Sequence, residues 1–129
     1  MKILGIDYGR RKIGLAMAES ALAEPYKVVR VQSLDEAVSR VGQIVQVERV
    51  ERVVVGLSEG TMAEESREFG EKLQARSGIP VSFQDETLST QDAQRKALEA
   101  GVNRKKRRAL DDAYSAALIL QNYLDMQDL

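Results

Sequence analysis

The sequence contains no cysteine, histidine or tryptophan, and its aromatic residues are limited to four tyrosines and two phenylalanines. Without cysteine, disulfides and thiolate metal sites are excluded. Without histidine, serine–histidine triads, zinc–histidine sites and histidine general bases are excluded as well. With so few aromatic rings, we do not expect binding by extensive stacking of side chains on nucleic-acid bases. Catalysis by this chain would therefore use carboxylates, lysine, tyrosine, hydroxyls, backbone groups or bound metal ions.

The sequence also lacks a long apolar run and a targeting segment. No stretch approaches the length of a transmembrane helix, and residues 1–5 do not have the pattern of a signal peptide. We therefore expect no membrane partner and a cytoplasmic location. A length of 129 residues fits one domain with a single core, spanning residues 1–129.

Positive and negative charges nearly balance overall, but positive charge is concentrated in one segment. The formal net charge is −1, yet residues 91–108 carry seven basic and two acidic side chains, a balance of +5 that leaves −6 elsewhere. The basic residues are Arg95, Lys96, Arg104, Lys105, Lys106, Arg107 and Arg108. Such a cluster is typical of a surface that contacts nucleic-acid phosphates. The alternative interpretation is a solvated loop that only keeps the protein in solution.

The hydrophobic pattern predicts a mixed α/β domain. Three β-prone segments with short links, at residues 1–8, 12–18 and 26–31, predict an antiparallel meander. Helical segments then alternate with short apolar strands at 53–55 and 80–83, which favours right-handed parallel crossovers. The helices are expected to begin at capping boxes from Ser33 and Thr61, near Ser89, and at Ala109. The expected architecture is one five-stranded sheet, three antiparallel strands followed by two parallel ones, flanked by helices.

Asp7 lies at the end of the first predicted strand, after apolar neighbours that indicate a central position in the sheet. A carboxylate there is costly unless it is paired or bound to a metal ion. The alternative is an aspartate that only starts a turn. Gly9 is expected to supply an unusual backbone angle in that turn. Its amide and the basic side chains of Arg10 and Lys12 could approach a phosphate.

Glu86 follows the strand predicted at 80–83, at the carboxyl end where open α/β sheets place ligands. Asp85 immediately precedes it. If the strand continues, these two side chains point to opposite sides, so only one can share a site with other acids. The alternative is that either acid merely meets the positive end of a following helix.

Asp111 and Asp112 open the last predicted helix, at 109–124. A plot at ~100° per residue places Asp112 in line with Ala116, Ile119 and Tyr123, whereas Asp111 lies on a more polar strip. Asp112 is therefore the better ligand candidate, although first-turn acids often only complement the helix dipole. The predicted core stripe of this helix comprises Leu110, Ala113, Ala117, Leu120 and Leu124.

If Asp7, Glu86 and Asp112 converge, three carboxylates crowd one point. At ~5 Å separation and an effective dielectric near 20, each pair repels by roughly 3 kcal/mol. Such a cluster persists only if cations fill it or protons neutralise it. Ligation by oxygen alone favours Mg²⁺ or Mn²⁺ over zinc or copper.

Four motifs in this chain resemble those of the YqgF/RuvX family, in the family's order and over nearly the whole sequence. They are GIDYG at 5–9 with IGLA at 13–16, VVVGL at 53–57, DETLST at 85–90 followed by Ala93, and DAYSAALIL at 112–120 followed by Tyr123. The chain departs from the family pattern at Ser58, in a shorter segment at 59–65, and at Thr87, where arginine is common. The last departure removes one potential phosphate contact.

The resemblance implies an RNase H-like fold with a catalytic triad of Asp7, Glu86 and Asp112. Members of the family are linked to the resolution of branched DNA (Holliday junctions) and to trimming of the precursor of small-subunit ribosomal RNA. We expect two-metal hydrolysis of phosphodiester bonds, with Asp7 bridging the ions. Phosphates flanking the cut would be held by the following residues: Gly9, Arg10, Lys12, Arg95, Arg104, Lys105, Lys106, Arg107 and Arg108.

Two other functions are compatible with these motifs. One is a module that binds junctions or RNA without cutting, although clustered carboxylates disfavour simple phosphate binding. The other is an actin-like ATP-binding fragment, for which 129 residues leave no room for a second lobe. Symmetric cutting of a junction would require two active sites and hence a homodimer, but no dimer surface can be identified from the sequence.

Overall fold

The computed structural model describes residues 1–58, 60–85 and 104–127, with side chains in the last segment from residue 111 onward. Within these ranges the chain forms five strands and three helices. The strands are β1 (Ile3–Asp7), β2 (Lys12–Ala18), β3 (Glu24–Arg30), β4 (Arg52–Leu57) and β5 (Val81–Asp85). The helices are α1 (Leu34–Val47), α2 (Thr61–Ser77) and α3 (Arg104–Gln127).

The strands form one sheet in the order β3-β2-β1-β4-β5. β2 pairs antiparallel with both β1 and β3, whereas β4 pairs parallel with β1 and with β5. The predicted mixed sheet, with a meander followed by two parallel strands, is confirmed. Because β1, β4 and β5 run in the same direction, their carboxyl ends lie at one edge of the sheet.

The two faces of the sheet are covered by different helices. Leu4 and Ile6 of β1 belong to the core shared with α1 and α2, around the fully buried Phe69. Ile3 belongs to a second core formed with α3. β4 contributes to both cores, and Val53, Val54 and Val55 are completely buried, as its continuous apolar run predicts. Successive side chains along β1 therefore point in turn toward α3 and toward the layer formed by α1 and α2.

The helix ends confirm one predicted capping box and contradict the other. Ser33 is the N-cap of α1, and its side chain accepts a hydrogen bond from the Glu36 amide at 3.1 Å. Thr61 was expected to cap α2, but that interpretation is wrong. The N-cap is Gly60, which offers no side-chain oxygen, and Thr61 is already the first helical residue. α2 ends as expected, at Gly78 in the left-handed conformation with φ of 73°.

α3 is longer than the helix predicted at 109–124, and its buried face extends beyond the predicted stripe. Of that stripe, Ala113 and Leu120 are buried, whereas Ala117 and Leu124 are only half-buried. Ala116, Ile119 and Tyr123 are buried as well, so the line that contains Asp112 also faces the sheet. The helix predicted from Ser89 to Gly101 lies outside the described residues. No helix in the described ranges has the length and apolar character needed to cross a bilayer.

Candidate active site

Asp7 is the last residue of β1 and lies at the edge where the parallel strands end. Gly5, two residues earlier on β1, lies on the same face of the sheet as Asp7. This face is the one covered by α3, because a methyl group added at Gly5 would lie 2.7 Å from Leu120 Cβ. Asp7 is therefore on the α3 face of the sheet, and it is half-buried. Its register partner on β2 is Gly14.

Asp112 reaches the same place from the helix. The main chain of α3 passes directly over Gly14, so that a methyl group at this glycine would overlap the Asp112 carbonyl and lie 2.8 Å from Asp112 Cβ. Gly14 thus lies next to Asp7 within the sheet and next to Asp112 where α3 packs on the sheet. Asp112 keeps 33% of its side chain exposed. The two predicted acids of the described chain are brought to one end of one face.

Lys12 adds a positive charge to this pair of acids. It is the first residue of β2, and its Nζ lies 3.4 Å from Asp112 Oδ2. The side chain of Lys12 is 47% exposed, and ion pairs with this much solvent contribute about 0–1 kcal/mol to stability. The pair therefore matters for the charge of the site more than for the fold. Lys12 was predicted to lie near phosphates, whereas its contact with Asp112 was not predicted.

Gly9 occupies the turn between β1 and β2, but not for the expected reason. Its φ is not positive, since the positive-φ glycines of the described chain are Gly60 and Gly78. The expectation of an unusual backbone angle is therefore wrong. Instead, a methyl group at Gly9 would lie 2.6 Å from the Lys12 carbonyl oxygen. Glycine is needed there because the two arms of the turn approach closely.

Arg10 and Tyr8 connect the same turn to α2. The Arg10 guanidinium donates from Nε to both carboxylate oxygens of Glu65, at 2.9 and 3.1 Å. Tyr8 stacks on Phe69 with 4.7 Å between ring centroids, and burial raises the pKa of its hydroxyl. These contacts join residues 55 or more positions apart, so no local pattern in the sequence indicated them.

Asp85 is excluded from the face that carries Asp7. On β5, Val81 and Phe83 contact Gly70 of α2, whereas Gln84 faces α3 and donates to Met126 Sδ at 3.4 Å. By alternation, Asp85 lies on the α2 face. The expectation that one of the two adjacent acids joins the site stays a prediction for Glu86, which lies outside the described residues.

The remaining predicted site residues are not all within the described residues. Glu86 and Arg95 lie outside them. Arg104, Lys105, Lys106, Arg107 and Arg108 form the beginning of α3, and nothing is described of their side chains. Asp111 is half-buried beside Asp112. Within the ranges the structure describes, no group of three acids is positioned to hold a metal ion.

Solved structures with the same architecture identify the class of fold. The chain is similar to T. thermophilus RuvC in complex with Holliday junction substrate, with a TM-score of 0.67, 21% identity, and coverage of 98% of this chain and 96% of that one. It is also similar to the fowlpox virus resolvase in complex with Holliday junction DNA, with a TM-score of 0.64, 13% identity, and coverage of 98% and 99%. The predicted RNase H-like fold, here in the form found in junction resolvases, is confirmed.

Sequence comparison identifies the family within this class. The model of the RuvX family, described as Holliday junction resolvase, matches residues 1–126, and the chain belongs to this family. A relative from Symbiobacterium thermophilum is 41% identical, with 97% of this chain and 92% of that protein covered. A second, from Levilactobacillus brevis, is 38% identical over 97% and 94%. Both bear the name "Putative pre-16S rRNA nuclease".

Proposed function

We propose that this protein is a metal-dependent endonuclease that hydrolyses phosphodiester bonds in branched DNA, in the precursor of 16S ribosomal RNA, or in both. The observation that carries the proposal is the meeting of Asp7 and Asp112 across Gly14, in a chain of the RuvX family. The family description points to junctions, and the names of the relatives point to the ribosomal precursor.

The donor atoms at this site fit magnesium or manganese. Asp7 and Asp112 supply carboxylate oxygens, and a chain without histidine or cysteine cannot supply the imidazole nitrogen or thiolate sulfur that zinc and copper sites commonly use. Asp112 is accessible to an entering ion, since a third of its side chain is exposed. We propose Glu86 as the third ligand. Two bound ions would supply an activated water and neutralise the charge that develops on the leaving 3′ oxygen.

The residues around the two acids would orient the backbone to be cut. Gly9 and Arg10 lie within the β1–β2 turn, and Lys12 opens β2 directly after it. We propose that these groups hold phosphates next to the scissile bond. Arg95 and the basic start of α3 (Arg104, Lys105, Lys106, Arg107 and Arg108) would extend this contact. Arg10 would have to exchange Glu65 for a phosphate, a small cost for a pair this exposed.

The test is cleavage of matched four-way junction, duplex, single-stranded DNA and ribosomal precursor RNA in Mg²⁺ and in Mn²⁺. The wild-type protein should cut the junction, the precursor RNA, or both. Asp7→Asn and Asp112→Asn should each lower the rate more than about 100-fold, because each removes a direct metal ligand. Asp111→Asn is the matched control on the same helix and should retain activity.

The proposal is refuted if Asp7→Asn cuts as fast as the wild type. Metal-independent binding without cleavage by the wild-type protein would identify a binding module instead. Stabilisation by ATP in the absence of nuclease activity would favour the actin-like alternative. If a junction proves to be the substrate, symmetric cutting requires two sites, and we propose that a homodimer supplies them.

A further inference from the structure

The ion pair between Lys12 and Asp112 joins β2 to α3 at the candidate site. Its geometry is specific to one carboxylate oxygen, with Nζ 3.4 Å from Oδ2. The backbone fixes both ends of the contact, because Lys12 is two residues before Gly14 and Asp112 lies directly over that glycine. The backbone therefore places the base of the Lys12 side chain close to the acid.

The charges at this end of the sheet explain why a lysine is useful there. Asp7 and Asp112 both adjoin Gly14, and two carboxylates on one face repel each other when no cation lies between them. An ammonium group beside Asp112 offsets part of this repulsion. The offset is compatible with folding but conflicts with metal ligation, since a divalent cation at Asp112 would strongly repel a neighbouring ammonium.

We propose that Lys12 is the counterion of the metal-free site, and that its ammonium group leaves Asp112 when a divalent cation binds there. This inference rests on the proposed function, because it takes Asp112 to be a metal ligand. The side chain can move without any change in β2, since it is flexible and 47% exposed. Its release at that moment also frees the positive charge for the phosphate contact proposed above.

Arg10 provides a matched comparison within the same turn. It also carries a positive charge and forms an ion pair, but its partner is Glu65 of α2 at 2.9 Å. Arg10→Met therefore removes a charge from the β1–β2 turn without disturbing the contact to Asp112. Lys12→Met removes the contact, and Lys12→Arg keeps a cation at the same position.

The experiment is an NMR titration of the full chain with Mg²⁺ in the absence of nucleic acid. The backbone amides of Gly14 and Asp112 report binding, and the ammonium signal of Lys12 reports its contact. Lys12→Met should bind Mg²⁺ about two- to fivefold more tightly than the wild type, because no exposed ion pair has to be broken. Arg10→Met and Lys12→Arg should bind like the wild type. The Lys12 ammonium signal should shift with the same midpoint as the amides.

Unchanged Mg²⁺ affinity in Lys12→Met, or a Lys12 signal that stays fixed while the amides shift, would overturn this inference alone. In that case the amide shifts, if abolished by Asp7→Asn, still support the proposed metal site. If the amides of the wild-type protein do not respond to Mg²⁺ or to Mn²⁺, the metal site and the role of Lys12 are both refuted.

Discussion

Gly14 allows a direct test of how the sheet and α3 are held together. Gly14→Ala adds one methyl group at a position where the main-chain carbonyl of Asp112 already occupies the space. A strand position would otherwise gain from losing glycine's extra conformational freedom. The obstacle is the backbone of a helix and not the end of a flexible side chain, so the helix must move.

The size of the effect follows from the cost of overpacking. Extra methylene groups in a well-packed core cost typically 1–3 kcal/mol, and a clash with main chain belongs at the upper end, about 3 kcal/mol. With an unfolding entropy of about 2.1 cal/mol/K per residue, this lowers the Tm of a 129-residue chain by roughly 11 °C. Because the displaced residue is Asp112, which we propose as a metal ligand, that proposal predicts that Mn²⁺ affinity falls as well, even at temperatures where the variant is folded.

Gly42→Ala is the matched control for this substitution. Its added methyl group meets Arg76 Nε at 2.6 Å, and Arg76 is an exposed side chain that can swing away. Inside α1, alanine is favoured over glycine by about 1 kcal/mol, so the Tm should stay or rise by a few degrees. Thermal unfolding followed by circular dichroism measures both variants. A Gly14→Ala protein whose Tm is within about 2 °C of the wild type would refute the packing argument.

Three further predictions concern the rest of the described fold. Phe69→Ala removes a completely buried ring that stacks on Tyr8 and should cost about 3–5 kcal/mol in urea denaturation; a loss below about 1 kcal/mol would contradict this. Ser33→Ala removes the N-cap of α1 and should cost about 1 kcal/mol, with rescue by Ser33→Asp as the check. The hydrogen bond from Lys2 lowers the pKa of the Glu48 carboxyl, so the stability that this pair provides is present above the ordinary glutamate pKa and disappears as the pH falls through the lowered one. Glu48→Gln should therefore show a shallower loss of stability on acidification than the wild type, and identical slopes would be evidence against the pairing.

The fold could be predicted from the sequence where local chemistry and packing agree. The apolar run at β4 indicated a strand buried on both sides, and Ser33 and Gly78 marked helix ends through their own backbone preferences. The N-cap of α2 was misassigned to Thr61 because glycine and threonine are both common N-cap residues, and the neighbouring Gly60 takes that position. The sequence predicted the burial of Ala113 and Leu120 but not that of Ala116 and Ile119, because a helix rich in alanine, leucine and isoleucine offers more than one apolar face and packing on the sheet decides which of them is buried.

Two acids of the candidate site, Asp7 and Asp112, could be placed from the sequence, whereas the partners of its cations could not. The position of Asp7 at a strand end and the helical line of Asp112 were both visible in the sequence. The partner of Lys12 lies 100 residues away along the chain, and the partner of Arg10 lies 55 away. Contacts of this kind depend on how three elements meet, and single-residue patterns carry no information about them.

Two glycines on neighbouring strands, Gly5 and Gly14, let the α3 main chain rest almost directly on the sheet. The short distance between α3 and the sheet bears on how long the acidic side chain at position 112 can be. An aspartate, with one methylene group, already brings its carboxylate to 3.4 Å from Lys12 Nζ, and a glutamate at the same position would extend one methylene group further. The same two glycines that close the interlayer gap thereby select the shorter acid at position 112.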